Sequence, residues 1–399
     1  MRLTIFIHLV CLWVLSTYSF WSYAQEHYPQ LSEQSQISLI TGTAGQPLYA
    51  AFGHSAVRVY DPLMGMDLVY NYGVFDFDTP NFYLKFASGR LPYQLEASRG
   101  YAGLMYLYAE EGRGLSEQVL NLSQAQKQAI FEALETNRLP ENKYYPYDFF
   151  FDNCSTRVRD LFQKTLGADL GWSYEGFPEK QTFRDLIHPY LAHRPWIDLG
   201  INLLLGLPTD RVAKPAEYLF LPEYLQQAFD QATIRIDGKT QPFVARTTSL
   251  LEAPPEATVP TGLTGPWILG ILILVFAATM TWLDYRRRRL SYWTDSLLLG
   301  TVGLIGCFFV LLWVGTDHQA LPQNWNLTWA VPLHTLWMIV VLGSKKLPDY
   351  ARFYALLATI WYALVLFTWP LHPQPLHPSL IPIMLALALR CWAVYRWAK

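Results

Sequence analysis

Charge is what this sequence has least of. Asp, Glu, Lys and Arg make up 16% of its 399 residues, where soluble domains carry about 25%, so water is not the solvent for the whole chain. Neither sign prevails: the formal net charge is −2, and the basic surplus that nucleic-acid binding requires is missing. Metal-ligand patterns are missing too. No cysteine pair has zinc-ligand spacing, no HExxH occurs, and His372 and His377 stand five apart among prolines. There is no GxSxG elbow and no phosphate-binding glycine loop. These absences argue against elbow-type serine hydrolases and loop-dependent nucleotide enzymes. No metal and no cofactor is expected, and no internal repeat is visible.

Cysteine is scarce. The four are Cys11, Cys154, Cys307 and Cys391. Cys11 lies in an N-terminal apolar run, and Cys307 and Cys391 lie in long apolar segments near the other end. Cys154 is left without an intramolecular partner in the intervening domain. An unpaired thiol in an oxidising compartment is a liability unless it has a use.

The residues present divide the chain in four. Met1-Arg2, an apolar run and Ser22-Tyr23-Ala24 read as a secretory signal over 1–24, with a retained anchor helix as the alternative. Residues 25–251 have the composition of a globular extracytoplasmic domain. Residues 252–265, rich in Pro, Thr and Ala, read as a linker. Residues 266–399 carry five apolar segments, at about 266–283, 295–315, 327–343, 353–370 and 379–397, each near the ~20 residues needed to cross a bilayer. Arg286 to Arg289, then Lys345, Lys346 and Arg352, then Arg396 and Lys399 all fall on one side if the domain is outside. The opposite loops, 316–326 and 372–377, contain no Lys or Arg. Their Asp317, His318, His372 and His377 could touch lipid head groups. Arg390 interrupts the fifth segment, and it must either face other helices or snorkel.

Within the domain, 48–60 and 67–73 read as antiparallel strands joined by the turn 61–65. Residues 123–137 read as a helix capped by Ser123, with Leu122, Ala125, Ile130 and Leu134 as its apolar stripe. Residues 153–166 form a second helix, with Val158, Leu161, Phe162 and Leu166 on one face and Gly167 as its stop. The class is α+β. Cys154 then stands in the first turn of a helix. Unpaired N–H groups and the positive end of the helix dipole favour a thiolate there, and Arg157 and Arg159 add positive charge nearby. A buried structural cysteine is the competing reading.

A thiol nucleophile needs an imidazole within hydrogen-bond reach. His27 lies in the lead-in, and His188 and His193 lie beside prolines. His54, after Gly53 at the start of a strand, is the preferred base. A third group should orient the ring. Asn71 on the next strand is the first choice, with Asp76 and Asp78 as alternatives.

The stretches FGHSAVRVYDP (52–62), YNYGVFDFDTPNFYLKFASGRLPYQL (70–95), LNLSQAQK (120–127) and YYPYDFFFDNCSTRVRDLF (144–162) together resemble the Lnb N-terminal periplasmic domain. The later spans are similar to the Lnb-type transmembrane domain. The resemblance implies a circularly permuted papain-like fold of the NlpC and lecithin:retinol acyltransferase kind, followed by an all-α transmembrane bundle. It also implies a bacterial lipoprotein N-acyltransferase of Bacteroidota type, set in the inner membrane with its catalytic domain on the periplasmic side. The family's catalytic pair falls on Cys154 and His54. The implied partners are a phospholipid acyl donor and a diacylated lipoprotein acceptor. Aromatic residues in 81–86 and 144–151 could line an acyl groove, although most suit a core. Segment 81–91 is the better groove candidate because Lys85 and Arg90 could meet lipid phosphates. Two other readings remain: a peptidoglycan peptidase or amidase using the same dyad, and a membrane scaffold with an inert cysteine.

Overall fold

The computed structural model describes residues 28–99, 101–252, 255, 262–343 and 348–397. The expected signal segment, His27 and most of the expected linker lie outside the described residues.

The first unit contains, in chain order, β1 (Gln36–Gly42), β2 (His54–Asp61), β3 (Met66–Val74), α1 (Phe82–Ala87), β4 (Pro92–Arg99), α2 (Tyr101–Glu110), β5 (Leu115–Leu120), α3 (Gln124–Arg138), β6 (Tyr144–Pro146) and α4 (Cys154–Leu166). After these come β7 (Leu170–Gly171), α5 (Phe183–Leu191), α6 (Pro195–Leu204), α7 (Pro222–Gln231), β8 (Thr233–Ile236), β9 (Lys239–Pro242) and β10 (Val244–Leu251). Seven strands make one antiparallel sheet in the order β10-β5-β1-β2-β3-β4-β6, and β7-β8-β9 make a small second sheet.

The central strand β1 is buried at every position after Gln36, because both faces of the sheet are covered. The major core joins Ile37, Leu39, Val57, Val59 and Tyr70 to Ile130, Phe131, Val158 and Phe162. A smaller cluster of Ile40, Ala56, Val69, Leu115 and Tyr108 fills the other face. A strand covered on both sides reads as a continuous apolar run.

The β2–β3 hairpin turns on Asp61, whose carboxylate accepts from the N–H groups of Leu63 and Met64. The first expected strand starts later than its composition indicates. Leu48–Ala50 follows Pro47 as a single 3-10 turn, and the chain enters β2 through Gly53 at φ +83, where a Cβ would sit 2.7 Å from the Gly42 carbonyl oxygen. Only glycine fits that step.

Ser123 caps α3 with a reciprocal box to Gln126. Its buried stripe is Ile130, Phe131 and Leu134, while Ala125 faces solvent. The expected face of α4 is buried as read, with Asn153 as its cap.

Five helices follow: α8 (Gly265–Arg287), α9 (Tyr292–Gly315), α10 (Leu333–Gly343), α11 (Asp349–Phe367) and α12 (Leu380–Trp397). Among the described residues four apolar segments, Gly265–Arg287, Tyr292–Gly315, Asp349–Phe367 and Pro378–Trp397, are long enough to cross a membrane. The third expected span is different. Residues Trp325–Thr328 form a 3-10 turn, and helix resumes only after Pro332. The 11 described residues of α10 then rise about 16 Å.

Arg390 is wholly buried. It donates to Asp295 at 2.8 and 3.1 Å, to Asp284 at 2.9 Å and to Thr281 at 3.1 Å. It faces other helices rather than snorkelling, and ties α8, α9 and α12 together.

The outer loops do not simply face lipid, because they grip the first unit. Asn324 donates to the Leu203 carbonyl at 2.7 Å, Asn326 to that of Asn202 at 3.0 Å, and Gln374 to that of Leu205 at 2.8 Å. His377 approaches Asp198 at 3.5 Å, and Arg90 forms a two-bond pair with Asp317.

Candidate active site

The site begins with how α4 starts. Asn153 accepts from the Thr156 N–H at 2.9 Å, and Thr156 Oγ1 accepts from the Asn153 N–H at 2.7 Å. The Asn153 amide also donates to the carbonyls of Phe149 and Phe220, each at 2.8 Å. A polar residue only 3% exposed therefore nails the first helical turn to two other segments. Cys154 is the first residue of that turn and is buried. A helix start leaves N–H groups without intrahelical acceptors, and that of Cys154 is one of them.

α4 packs against β2 and β3. His54 opens β2, half-buried, with Gly42 as its partner on β1. On the other side of β2, Asn71 pairs with Ala56 across β3. That register brings Asn71 Oδ1 to 3.2 Å from His54 Nε2, while the Asn71 amide donates to the Val69 carbonyl at 3.4 Å. The second bond orients the amide oxygen toward the ring. Nε2–H then donates to Asn71.

Against its burial, the charge of the neighbouring His54 and the Ser55 backbone N–H both act to lower the Cys154 thiol. Ser155 Oγ lies 3.9 Å from the sulfur, and a buried bond of 2.9 Å joins it to Ser55 Oγ. Burial alone would push the thiol up and the imidazole down. Their mutual attraction outweighs it, so Cys154 is lowered and His54 raised. The direction favours a thiolate–imidazolium pair, which titrates as a unit.

The structure thus brings Cys154, His54 and Asn71 together. Asp76 and Asp78 lie in an exposed turn beyond β3, bonded to each other through the Asp78 N–H. His188 pairs with Asp198, and His193 accepts from Arg194 Nε at 2.9 Å. The expected help from Arg157 and Arg159 is offset by neighbouring carboxylates. Arg157 is bound by both oxygens of Asp152, and Arg159 pairs with Asp160 at 2.7 Å. Among the described residues, no group of three His, Cys, Asp or Glu is arranged to hold a metal.

Other residues at the site had not been singled out. Ser55 and Ser155 adjoin His54 and Cys154 within the conspicuous motifs, so their signal was adjacency. Arg113 is buried, sits 4.3 Å from the Tyr108 ring centroid, and its charge opposes protonation of His54. Tyr145 is the most informative. It is 6% exposed, and its hydroxyl has no hydrogen-bond partner among the described residues. A Cβ placed on Gly73 would lie 3.9 Å from that hydroxyl and 3.8 Å from Cys154 Cβ. The orphan hydroxyl and the nucleophile candidate therefore border the same small gap. Gly73, at φ +86, keeps that gap open.

Next to this gap lies a cleft of about 260 Å³, lined by Arg90, Tyr147, Asp148, Asp152, Asp317 and His318 among others. It runs between the first unit and the α9–α10 loop.

Two family models match the chain. The Lnb N-terminal periplasmic domain matches residues 25–190, and the Lnb transmembrane domain matches residues 258–399. Among curated proteins and among solved structures, none matches significantly.

Proposed function

This chain belongs to the Lnb family of membrane proteins with a periplasmic N-terminal domain, and on that premise we propose that it is a lipoprotein N-acyltransferase of the bacterial inner membrane, working through a Cys154 thioester. The observation that carries this reading is the Cys154–His54–Asn71 constellation on a domain gripped by the outer loops of a membrane bundle.

In the first half-reaction the Cys154 thiolate attacks an ester carbonyl of a phospholipid. The carbonyl oxygen becomes an oxyanion, for which the Cys154 N–H and the Tyr145 hydroxyl are available donors. Collapse breaks the ester C–O bond. His54 gives its proton to the departing alkoxide, and the acyl group stays on sulfur. In the second half-reaction the α-amino group of a diacylglyceryl-cysteine lipoprotein attacks the thioester. His54 takes a proton from that nitrogen, the C–S bond breaks, and the thiolate returns. Asn71 keeps the imidazole in one tautomer and orientation throughout. Holding the domain on its bundle raises the effective concentration of both lipid substrates.

One observation favours a second reading. The cleft beside the site is lined by three carboxylates, Asp148, Asp152 and Asp317, with Arg90, which suits a peptidoglycan peptide better than an acyl chain. In the acyl-transfer reading the same carboxylates would attract the positively charged amino terminus of the acceptor.

The test is to trap the intermediate. Purified full-length protein is incubated with phospholipid without acceptor, and its mass is measured. A gain of one acyl mass, removed by neutral hydroxylamine and absent in Cys154→Ser, is expected. Cleavage of purified peptidoglycan without any acyl adduct would move the peptidase reading to the front.

A further inference from the structure

The short helix α1 is poorly covered. Only Phe82 packs against the core; Tyr83 is 81% exposed, Leu84 71%, Phe86 55%, and Phe77 just before the helix 69%. These side chains form one surface, since the Phe82 ring lies 4.9 Å from Phe77, 5.4 Å from Tyr83 and 6.3 Å from Phe86. A contiguous apolar patch of this kind marks contact with a partner or with lipid.

The place of α1 in the fold selects between them. Its C-terminal end is bonded to the loop that leaves the outer end of α9. The Asp317 N–H donates to the Ser88 carbonyl at 2.9 Å, and His318 Nε2 donates to the Phe86 carbonyl at 3.3 Å. Gly89, at φ +72, lets the His318 backbone come within 3.2 Å of where a Cβ would stand. α9 ends at Gly315, and its last turn carries Val314, 75% exposed on the bundle surface. The uncovered face of α1 is therefore continuous with the lipid-facing surface of the bundle at its outer rim. Arg90, expected to meet lipid phosphate there, is instead held by Asp317. Lys85 makes no ion pair among the described residues and is the cation left for a lipid phosphate.

The inner side of α1 leads to the site. Phe82 meets Phe75, Phe75 meets Tyr93 at 5.3 Å, and Tyr93 stacks on Tyr147 at 4.3 Å. Tyr147 borders the same Gly73 gap as Cys154.

We propose that α1 dips into the outer leaflet and hands the acyl chain of a membrane lipid along the Phe82–Phe75–Tyr93–Tyr147 aromatic row to Cys154. The delivery role rests on the acyl-transfer reading; the membrane contact does not.

Two measurements on the full-length protein, in vesicles of phosphatidylethanolamine and phosphatidylglycerol, separate these parts. The first places a spin label at Tyr83→Cys in a Cys154→Ser, Cys307→Ala background and compares its accessibility to oxygen and to a water-soluble nickel complex. A label at 83 that favours oxygen, as one at Val314→Cys does, supports the contact. A label as nickel-accessible as one at Asp237→Cys, on the exposed β8–β9 turn, overturns it. The second measures Cys154 turnover by the Tyr83→Ser, Leu84→Ser, Phe86→Ser variant, with bilayer phospholipid and with soluble p-nitrophenyl butyrate. The ratio of bilayer to soluble turnover should fall about tenfold or more, since burying one Leu or Phe exceeds the free energy of a tenfold step. An unchanged ratio overturns delivery. A wild type that turns over butyrate but transfers no lipid acyl chain removes the acyl-transfer reading and delivery with it, while the label at 83 still decides the contact.

Discussion

Replacing Tyr145 by Phe should make the protein no less stable and much less active. The ring is held from several sides: the Arg157 guanidinium lies 3.9 Å from its centroid and Tyr72 meets it edge-on at 6.4 Å. Phe keeps those contacts. What it removes is a hydroxyl that is buried without a partner, and such a group costs a folded protein about 1–3 kcal/mol. Unfolding free energy should therefore stay level or rise by up to that amount. Activity should move the other way. If the hydroxyl donates to the tetrahedral oxyanion, its loss should lower acylation about 10²–10³-fold, equivalent to ~2.7–4 kcal/mol. Alkylation of Cys154 by iodoacetamide forms no oxyanion, so its rate should not change. The assay is a pair of rates on one preparation, acyl-adduct formation by mass spectrometry and alkylation of the same thiol, beside a denaturant melt. A variant that acylates within about twofold of wild type, against the expected 10²–10³-fold, refutes the oxyanion role. A parallel fall in alkylation would show that the hydroxyl acts on the thiol instead.

Other perturbations test separate links. Asn71→Ala should slow acylation by about 10–100-fold, the range for removing a group that orients a reacting ligand. The bond from Asn71 raises His54, so its loss should also shift the alkaline limb of the pH–rate profile to lower pH. In the wild type that profile should be bell-shaped, rising through the lowered thiol and falling through the raised imidazole. Gly89→Ala forces a side chain into a left-handed backbone against His318, costing about 1–2 kcal/mol; hydrogen exchange should quicken at 316–319. The Asp198 contact to the bundle should depend on pH. Burial opposes the Asp198 charge, but bonds from His188 and His377 outweigh it and lower its pKa. That contribution is present above 3.8 and lost as pH falls. His188 is raised by its bond to Asp198, so its contribution is full below 6.5 and lost as pH rises through the raised value. Exchange at 195–204 should be slowest between these limits and lose its pH dependence in Asp198→Asn.

Local chemistry was legible wherever one short stretch determines the outcome. Ser123 caps its helix because it has a partner three residues on. The turn at 61–65 joins β2 to β3 as expected, whereas the register that brings Asn71 to His54 emerges only in the structure. What stayed hidden needs partners far apart in sequence. Arg157 reads as a cation near the thiol until Asp152 is seen to hold two of its nitrogens. Tyr145 reads as one aromatic among many until its hydroxyl is found without a partner. The outer loops read as candidates for lipid head groups because nothing local shows that Asn324, Asn326 and Gln374 reach carbonyls more than a hundred residues away. The third expected span starts its helix later than hydropathy indicates, because Pro332 and the turn at Trp325–Thr328 precede it.

The most direct test is to express wild type and Cys154→Ala in cells lacking their own lipoprotein N-acyltransferase and weigh the N-terminal peptide of a lipoprotein. The account predicts one added fatty acyl mass with wild type and none with the variant. A peptide that stays diacylated although wild type is inserted and folded would contradict it.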